Sequence, residues 1–210
     1  MNECEIINKR KILKTLKKCS SIIWDFDGVI KDSVDIKGKV FRNLIPEQSK
    51  ELKDKIYKHH NSNGGISRFN KIKIYLNWSS FKNTEANLNF FTSKFSTLIK
   101  KEVIKSNYID GIYNYLKENH IRQNFYLVTA TPQEEIIEIT KDLEIFDYFK
   151  KIFGHPNSKE DSFKSILEYS QNSSKDFVVI GDSFNEYDAA KKHNLKFILR
   201  IDQSKNRIPK

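Results

Sequence analysis

No stretch of this sequence stays apolar for the roughly 18 residues that crossing a bilayer requires, so no membrane partner is expected. The first residues, MNECEIINKRKILKTLKKCS, are basic and interrupted by charges. They lack the apolar centre of a secretory signal. Cysteine occurs twice, at Cys4 and Cys19, too rarely for a disulfide framework. A reducing cytoplasm is the expected location. The histidines show no metal-ligand spacing, and there is no internal repeat and no low-complexity linker. Between residues 33 and 106 no strong strand pattern appears.

What is present suits a globular chain. In 210 residues, 38% are hydrophobic and 12% aromatic, enough to bury a core in one domain or in one domain with an insertion. Mean hydropathy is −0.61. The net charge of +10 admits two readings, a surface for anionic partners or a solvated lysine-rich exterior. The lysines are scattered, and no basic stripe or aromatic–basic motif occurs, so no nucleic-acid partner is expected.

Apolar residues at helical spacing predict a helix over 5–19. SSIIWDF then reads as a buried strand. Residues 33–107 read as helices broken by Pro46 and by the turn signal Asn61-Ser62-Asn63-Gly64-Gly65. From residue 108 the pattern alternates: helix 110–120, strand NFYLVTAT, helix PQEEIIEITKDL with Pro132 in its first turn, strand KKIFG, helix SKEDSFKSILEYS, strand DFVVIGDS, helix FNEYDAAKKH capped by Asn194, strand KFILRI. This alternation predicts an α/β fold: a Rossmann-like three-layer core with a parallel sheet. The core comprises 1–32 and 108–210, and a helical cap, 33–107, is inserted after the first core strand. In such sheets ligands sit beyond the carboxyl ends of the strands. Asp25-Phe26-Asp27, Thr129-Ala130-Thr131 and Gly181-Asp182-Ser183 all stand there.

Residues two apart on an extended segment point the same way, so Asp25 and Asp27 share one site and their repulsion must be offset. Mg²⁺ prefers oxygen and is held by one or two carboxylates with water and phosphate oxygens; Asp182 adds a carboxylate. Three acids without a Cys/His cluster favour Mg²⁺ over zinc. An aspartate can carry a phosphoryl group covalently. For the phosphoryl oxygens, Thr129 offers a hydroxyl, Lys159 a cation, and the turn at Gly28 its N–H groups.

These segments resemble the four motifs of the haloacid dehalogenase (HAD) superfamily, in its capped phosphatase branch that includes phosphoglycolate phosphatases and β-phosphoglucomutases. WDFDGVIKDS resembles the first motif, LVTATP the second, GHPNSKEDSF the third and VVIGDSFNEYDAA the fourth, in the family's order. The resemblance implies that Asp25 is the nucleophile and Asp27 the general acid–base, with its main-chain carbonyl on Mg²⁺. It implies that Thr129, Ala130 and Gly28 hold the phosphoryl group, that Lys159 orients Asp25, and that Asp182 ligates the metal. Glu186, where the family has aspartate, and Ser183 are placed behind the metal. Asp188 is the rival of Glu186, but is expected to be exposed. Lys159 is followed by Glu160 rather than proline, which leaves Lys164 as a substitute.

In the insertion, Ser67 is expected to start a helix that brings Arg68 towards the core to meet substrate; Arg42 and Lys71 are weaker candidates. His59 and His60 are expected as an exposed polar pair, and His120, His155 and His193 as surface residues. Trp24 and Trp78 read as packing residues. The resemblance implies a Mg²⁺-dependent phosphatase, monomer or dimer, acting through an aspartyl-phosphate on a small phosphorylated metabolite. Candidate substrates are a sugar phosphate, a phosphoglycolate-like acid, and a three-carbon polyol or amino-alcohol phosphate. GGISRF is similar to stretches in HAD phosphatases of surface-polysaccharide sugar pathways. The alternatives are a phosphomutase of the same superfamily and, in another class, a basic nucleic-acid-binding protein on this scaffold.

Overall fold

A computed structural model describes residues 15–46, 48–63 and 66–201. Most of the helix expected over 5–19, and the Gly64-Gly65 turn, lie outside the described residues; 15–18 are helical.

Five parallel strands form one sheet in the order β3-β2-β1-β4-β5. They are β1 (Ser21–Trp24), β2 (Asn124–Pro132), β3 (Phe149–His155), β4 (Phe177–Gly181) and β5 (Lys196–Leu199). β1 lies at the centre, with Trp24 opposite Leu127 on one side and Ile180 on the other. Its four residues are all buried, as a parallel strand covered on both faces requires. Alternation sends Ile22 and Trp24 to one core cluster and Ile23 to the other. The second cluster is closed by Phe163 and Ile166 and by Ala189 and Ala190. These sit on helices α7 (Lys159–Ser170) and α8 (Phe184–Lys192).

Between β1 and β2 lie α1 (Val34–Leu44), α2 (Lys50–Ser62), α3 (Arg68–Trp78), α4 (Glu85–Lys105) and α5 (Ile112–Asn119). Ser49, Ser67 and Thr84 each accept a main-chain N–H at the start of α2, α3 and α4, which satisfies donors a helix cannot pair internally. Phe41, Ile72, Tyr75, Phe91 and Phe95 are buried where these helices meet. The chain enters and leaves the part that carries α1–α4 side by side: Asp32 N–H donates to the Asn107 carbonyl at 2.9 Å, and Ile109 N–H to that of Ile30 at 3.0 Å. No helix among the described residues is long and apolar enough to cross a membrane.

Three local expectations change. Pro132 ends β2, and α6 (Gln133–Asp142) starts one residue later; the strand holds the proline extended. His60 is buried rather than exposed, and His59 packs edge-on against Tyr75 and Trp78. Both face neighbouring helices, a contact that local spacing does not encode. His120 stacks on Tyr148 and His155 on Phe69, so neither is a free surface residue. Asn194 does take the left-handed conformation, φ 54°, after α8.

Candidate active site

The carboxyl ends of β1, β2 and β4 meet on one cavity. Asp25, Asp27, Thr129, Ala130, Thr131, Lys159 and Asp182 line its sheet side, and Lys37, His60, Arg68 and Lys71 come from the inserted helices. It leaves about 70 Å³ for water-sized occupants, several times what one water needs. The turn after β1 is tight: Gly28 has φ +78°, and a Cβ there would lie 2.1 Å from Asp182 Oδ2. Only glycine lets the first and fourth strand ends approach this closely.

Each acid of the first motif has its own lysine. Lys159 Nζ donates to Asp25 Oδ1 at 2.6 Å and to the Val128 carbonyl at 2.8 Å, and pairs with Glu186 Oε1 at 2.9 Å. Lys37 Nζ donates to Asp27 Oδ2 at 2.5 Å and to Thr131 Oγ1 at 3.0 Å. Ser33 Oγ donates to Asp27 Oδ1 at 2.6 Å. Each of the two carboxylates thus has an ammonium partner, which offsets part of the repulsion between Asp25 and Asp27. The Asp27 carboxylate is engaged by Lys37 and Ser33.

The charges differ accordingly. Burial would push Asp27 up, but Lys37, Ser33 and Arg68 outweigh it and hold the carboxyl below its usual range. Burial raises Asp25 to about 7; Lys159 opposes the shift, while Glu186 and Asp27 add to it. Asp182 is pushed well up by burial and by Asp25, Glu186 and Asp27. One ammonium, Lys159, serves both Asp25 and Glu186. The Asp25–Asp182 side thus carries surplus negative charge that a cation would relieve. No three acidic, histidine or cysteine side chains among the described residues form a ready metal cluster. Two carboxylates with the Asp27 main-chain carbonyl nonetheless fit Mg²⁺, which takes few protein ligands and completes its shell with water and phosphate oxygens.

The remaining candidates are distributed as follows. Thr129 Oγ1 accepts the Thr131 N–H at 3.2 Å, so its own proton stays available. Glu186, 1% exposed, forms a capping box with Ser183 at the start of α8. It supports Lys159 and the helix rather than facing the cavity as a ligand. Asp188 and Lys164 are exposed. Arg42 pairs with Asp54 at 2.9 Å. Arg68 lines the cavity, but its guanidinium is held by both Glu135 oxygens at 2.5 and 2.7 Å and by Ser96. Sequence reasoning missed Lys37 and Glu135, placed Thr131 at the strand end without a role, and read His60 as exposed. Lys37 had one legible signal, its position on the first helix after the motif, facing back along the turn that carries Asp27.

Known proteins share this family and this fold. Residues 22–200 match the family of haloacid dehalogenase-like hydrolases. Among curated proteins none matches the sequence. Solved structures with the same fold include a predicted phosphoglycolate phosphatase from Haemophilus somnus (TM-score 0.66, 16% identity, covering 86% of this chain and 84% of that one). YfnB of Bacillus subtilis, described as a magnesium-bound HAD hydrolase, gives 0.64 at 18% identity and 86% of each chain. A Thermotoga maritima protein described as a β-phosphoglucomutase gives 0.63 at 19% identity, over 85% and 83%. With the family match spanning nearly the whole described chain and the motif acids gathered on one cavity, the protein belongs to the haloacid dehalogenase-like hydrolases.

Proposed function

We propose that this chain is a Mg²⁺-dependent phosphomonoesterase working through an aspartyl-phosphate on Asp25. The observation that carries this reading is the convergence of Asp25, Asp27, Thr129, Lys159 and Asp182, from separate parts of the sequence, on one small cavity. The descriptions of the structural neighbours as phosphatases and a phosphomutase support it by analogy only.

Lys159 binds Asp25 Oδ1, which leaves Oδ2 to attack phosphorus and favours the ionised form. Thr129 Oγ1 donates to a phosphoryl oxygen, and a main-chain N–H near Ala130 cradles another; the Gly28 N–H is taken by the Lys31 carbonyl at 2.8 Å, so Gly28 serves the close approach of its turn instead. The leaving oxygen takes a proton through Asp27. The Asp27 carboxylate then takes one from the water that splits the aspartyl-phosphate and releases it to solvent, which supplied the first proton, so Asp27 ends the cycle ionised as it began. The Lys37 pair favours the carboxylate form, which suits the second half-reaction and makes proton donation in the first the more demanding step. Mg²⁺, held by Asp25, Asp182 and the Asp27 carbonyl, would neutralise charge on the phosphoryl oxygens. The inserted helices act as a cap that opens about the paired segments Ile30–Asp32 and Asn107–Ile109. A small metabolite is the substrate, in keeping with the cavity volume.

The test is phosphate release from a panel of phosphorylated metabolites. Release should need Mg²⁺, stop with chelator, and fall at least about a thousandfold in Asp25→Asn. Turnover surviving in Asp25→Asn would remove the covalent route. An isomerised phosphosugar without free phosphate would identify a mutase.

A further inference from the structure

Lys71 differs from the other cations of the cavity. Lys37 is paired with Asp27, Lys159 with Asp25 and Glu186, and Arg68 with Glu135. Lys71 is 3% exposed, yet among the described residues no carboxylate forms an ion pair with it. Its ammonium lies 3.1 Å from His60 Nδ1. The other ring nitrogen, Nε2, lies 3.1 Å from the Val34 carbonyl oxygen. A carbonyl only accepts, so Nε2 carries the proton and Nδ1 offers its lone pair to Lys71. The ammonium has three donors, and this arrangement leaves two for the cavity. Burial, and then repulsion from Lys37, pull Lys71 down to about 7. A buried cation without a counter-ion is costly until an anion arrives.

Its place shows which part of a substrate it meets. Lys71 comes from α3, in the inserted segment, not from the sheet edge that holds Asp25 and Thr129. The charges acting on it are Lys37, Asp27 and Asp182, and Asp27 is the group assigned to the leaving oxygen. Phe41 and Phe95 wall the same cavity, so a small occupant would be desolvated there.

We infer that Lys71, oriented by His60, is a subsite for a second anionic group, and that the substrate is a small phosphomonoester whose alcohol half carries a carboxylate. The inference rests on the phosphomonoesterase reading for the identity of the first group. Two donors on one ammonium match the two oxygens of a carboxylate.

Two matched pairs test it: phosphoglycolate against 2-hydroxyethyl phosphate, and 3-phosphoglycerate against glycerol 3-phosphate. Within each pair a carboxylate replaces a hydroxymethyl group. With Mg²⁺ the protein should favour the carboxylate member of at least one pair about ten- to hundredfold in kcat/KM, the worth of a charge-assisted hydrogen bond. Lys71→Met should erase that preference. Equal rates within both pairs, or a Lys71→Met loss shared equally by both members, overturns the subsite. Lys71→Met removes an unpaired buried charge, so the variant should melt no lower than the parent; Lys71→Gln serves if it does not fold. If no ester is turned over at all, the phosphomonoesterase reading fails, and calorimetry on Asp25→Asn protein decides the subsite separately. Tighter binding of a carboxylate member that Lys71→Met abolishes retains the subsite, and equal binding removes it.

Discussion

Lys37 sets the charge state of the residue proposed to move the proton. Without it, burial would push Asp27 up, since Lys37 is the main influence holding the carboxyl down. Lys37→Met should therefore leave Asp27 protonated to higher pH, which eases proton donation in the first half-reaction and depletes the carboxylate needed in the second. It should also move the acid limb of the pH–rate profile to higher pH, because the carboxylate form would be lost sooner on acidification. An unshifted limb would show that Lys37 does not govern Asp27. Lys71 is read through stability. Its folded value of about 7 lies below the ordinary 10.5, so the folded protein binds fewer protons than the unfolded chain between those limits, and stability rises with pH there. The advantage of ligand-free Lys71→Met over the parent should thus shrink by about 1.4 kcal/mol per pH unit above pH 7, as read by urea denaturation at pH 7.5 and 9.

The helices carry their site residues in their first turns. Lys159 is the first residue of α7, behind Ser158, whose hydroxyl accepts the Asp161 N–H. That cap fixes where α7 starts and so where the lysine side chain begins its reach to Asp25. In α8, Glu186 accepts the Ser183 N–H at 3.1 Å with one oxygen and pairs with Lys159 at 2.9 Å with the other. The extra methylene relative to aspartate lets one side chain do both. Glu186→Gln keeps the cap but removes the charge, leaving Lys159 with a single carboxylate. It should destabilise the protein by about 3 kcal/mol, as breaking a buried pair does, and slow turnover through a less well-held Asp25; thermal melting and kcat together measure it. At this scale the sequence was highly legible. Strand ends, Ser67 as a helix start and the Asn194 cap follow from local spacing and turn chemistry. Pro132 fell on the strand side of its boundary because the β2–β3 pairing extends to His155.

Across the whole molecule, the inserted helices are tied to the core by Arg68, which is buried, and Glu135, which is partly buried, joined by a two-pronged contact. Arg68 also lies 4.8 Å over the Phe95 ring. The neighbouring Lys100–Glu138 and Lys100–Asp142 pairs are more exposed and add little. Glu135→Gln should strand a buried guanidinium and weaken closure by about 3–5 kcal/mol. It should raise KM more than it lowers kcat and speed hydrogen exchange in residues 107–109. Unchanged protection there would show that the pair does not hold the helices down.

The sequence by itself determined the α/β order, the strand ends on which Asp25, Thr129 and Asp182 stand, and the family, because each depends on spacing along a short segment. Only the tertiary structure decided the partner of each charge. Lys37, His60, Lys71 and Arg68 come from helices whose packing against one another aims their side chains, and Lys37 meets Thr131 across 94 positions of sequence. Local patterns mark a helix and its apolar face, whereas an ion pair across the fold depends on how the buried aromatic side chains set one helix against another.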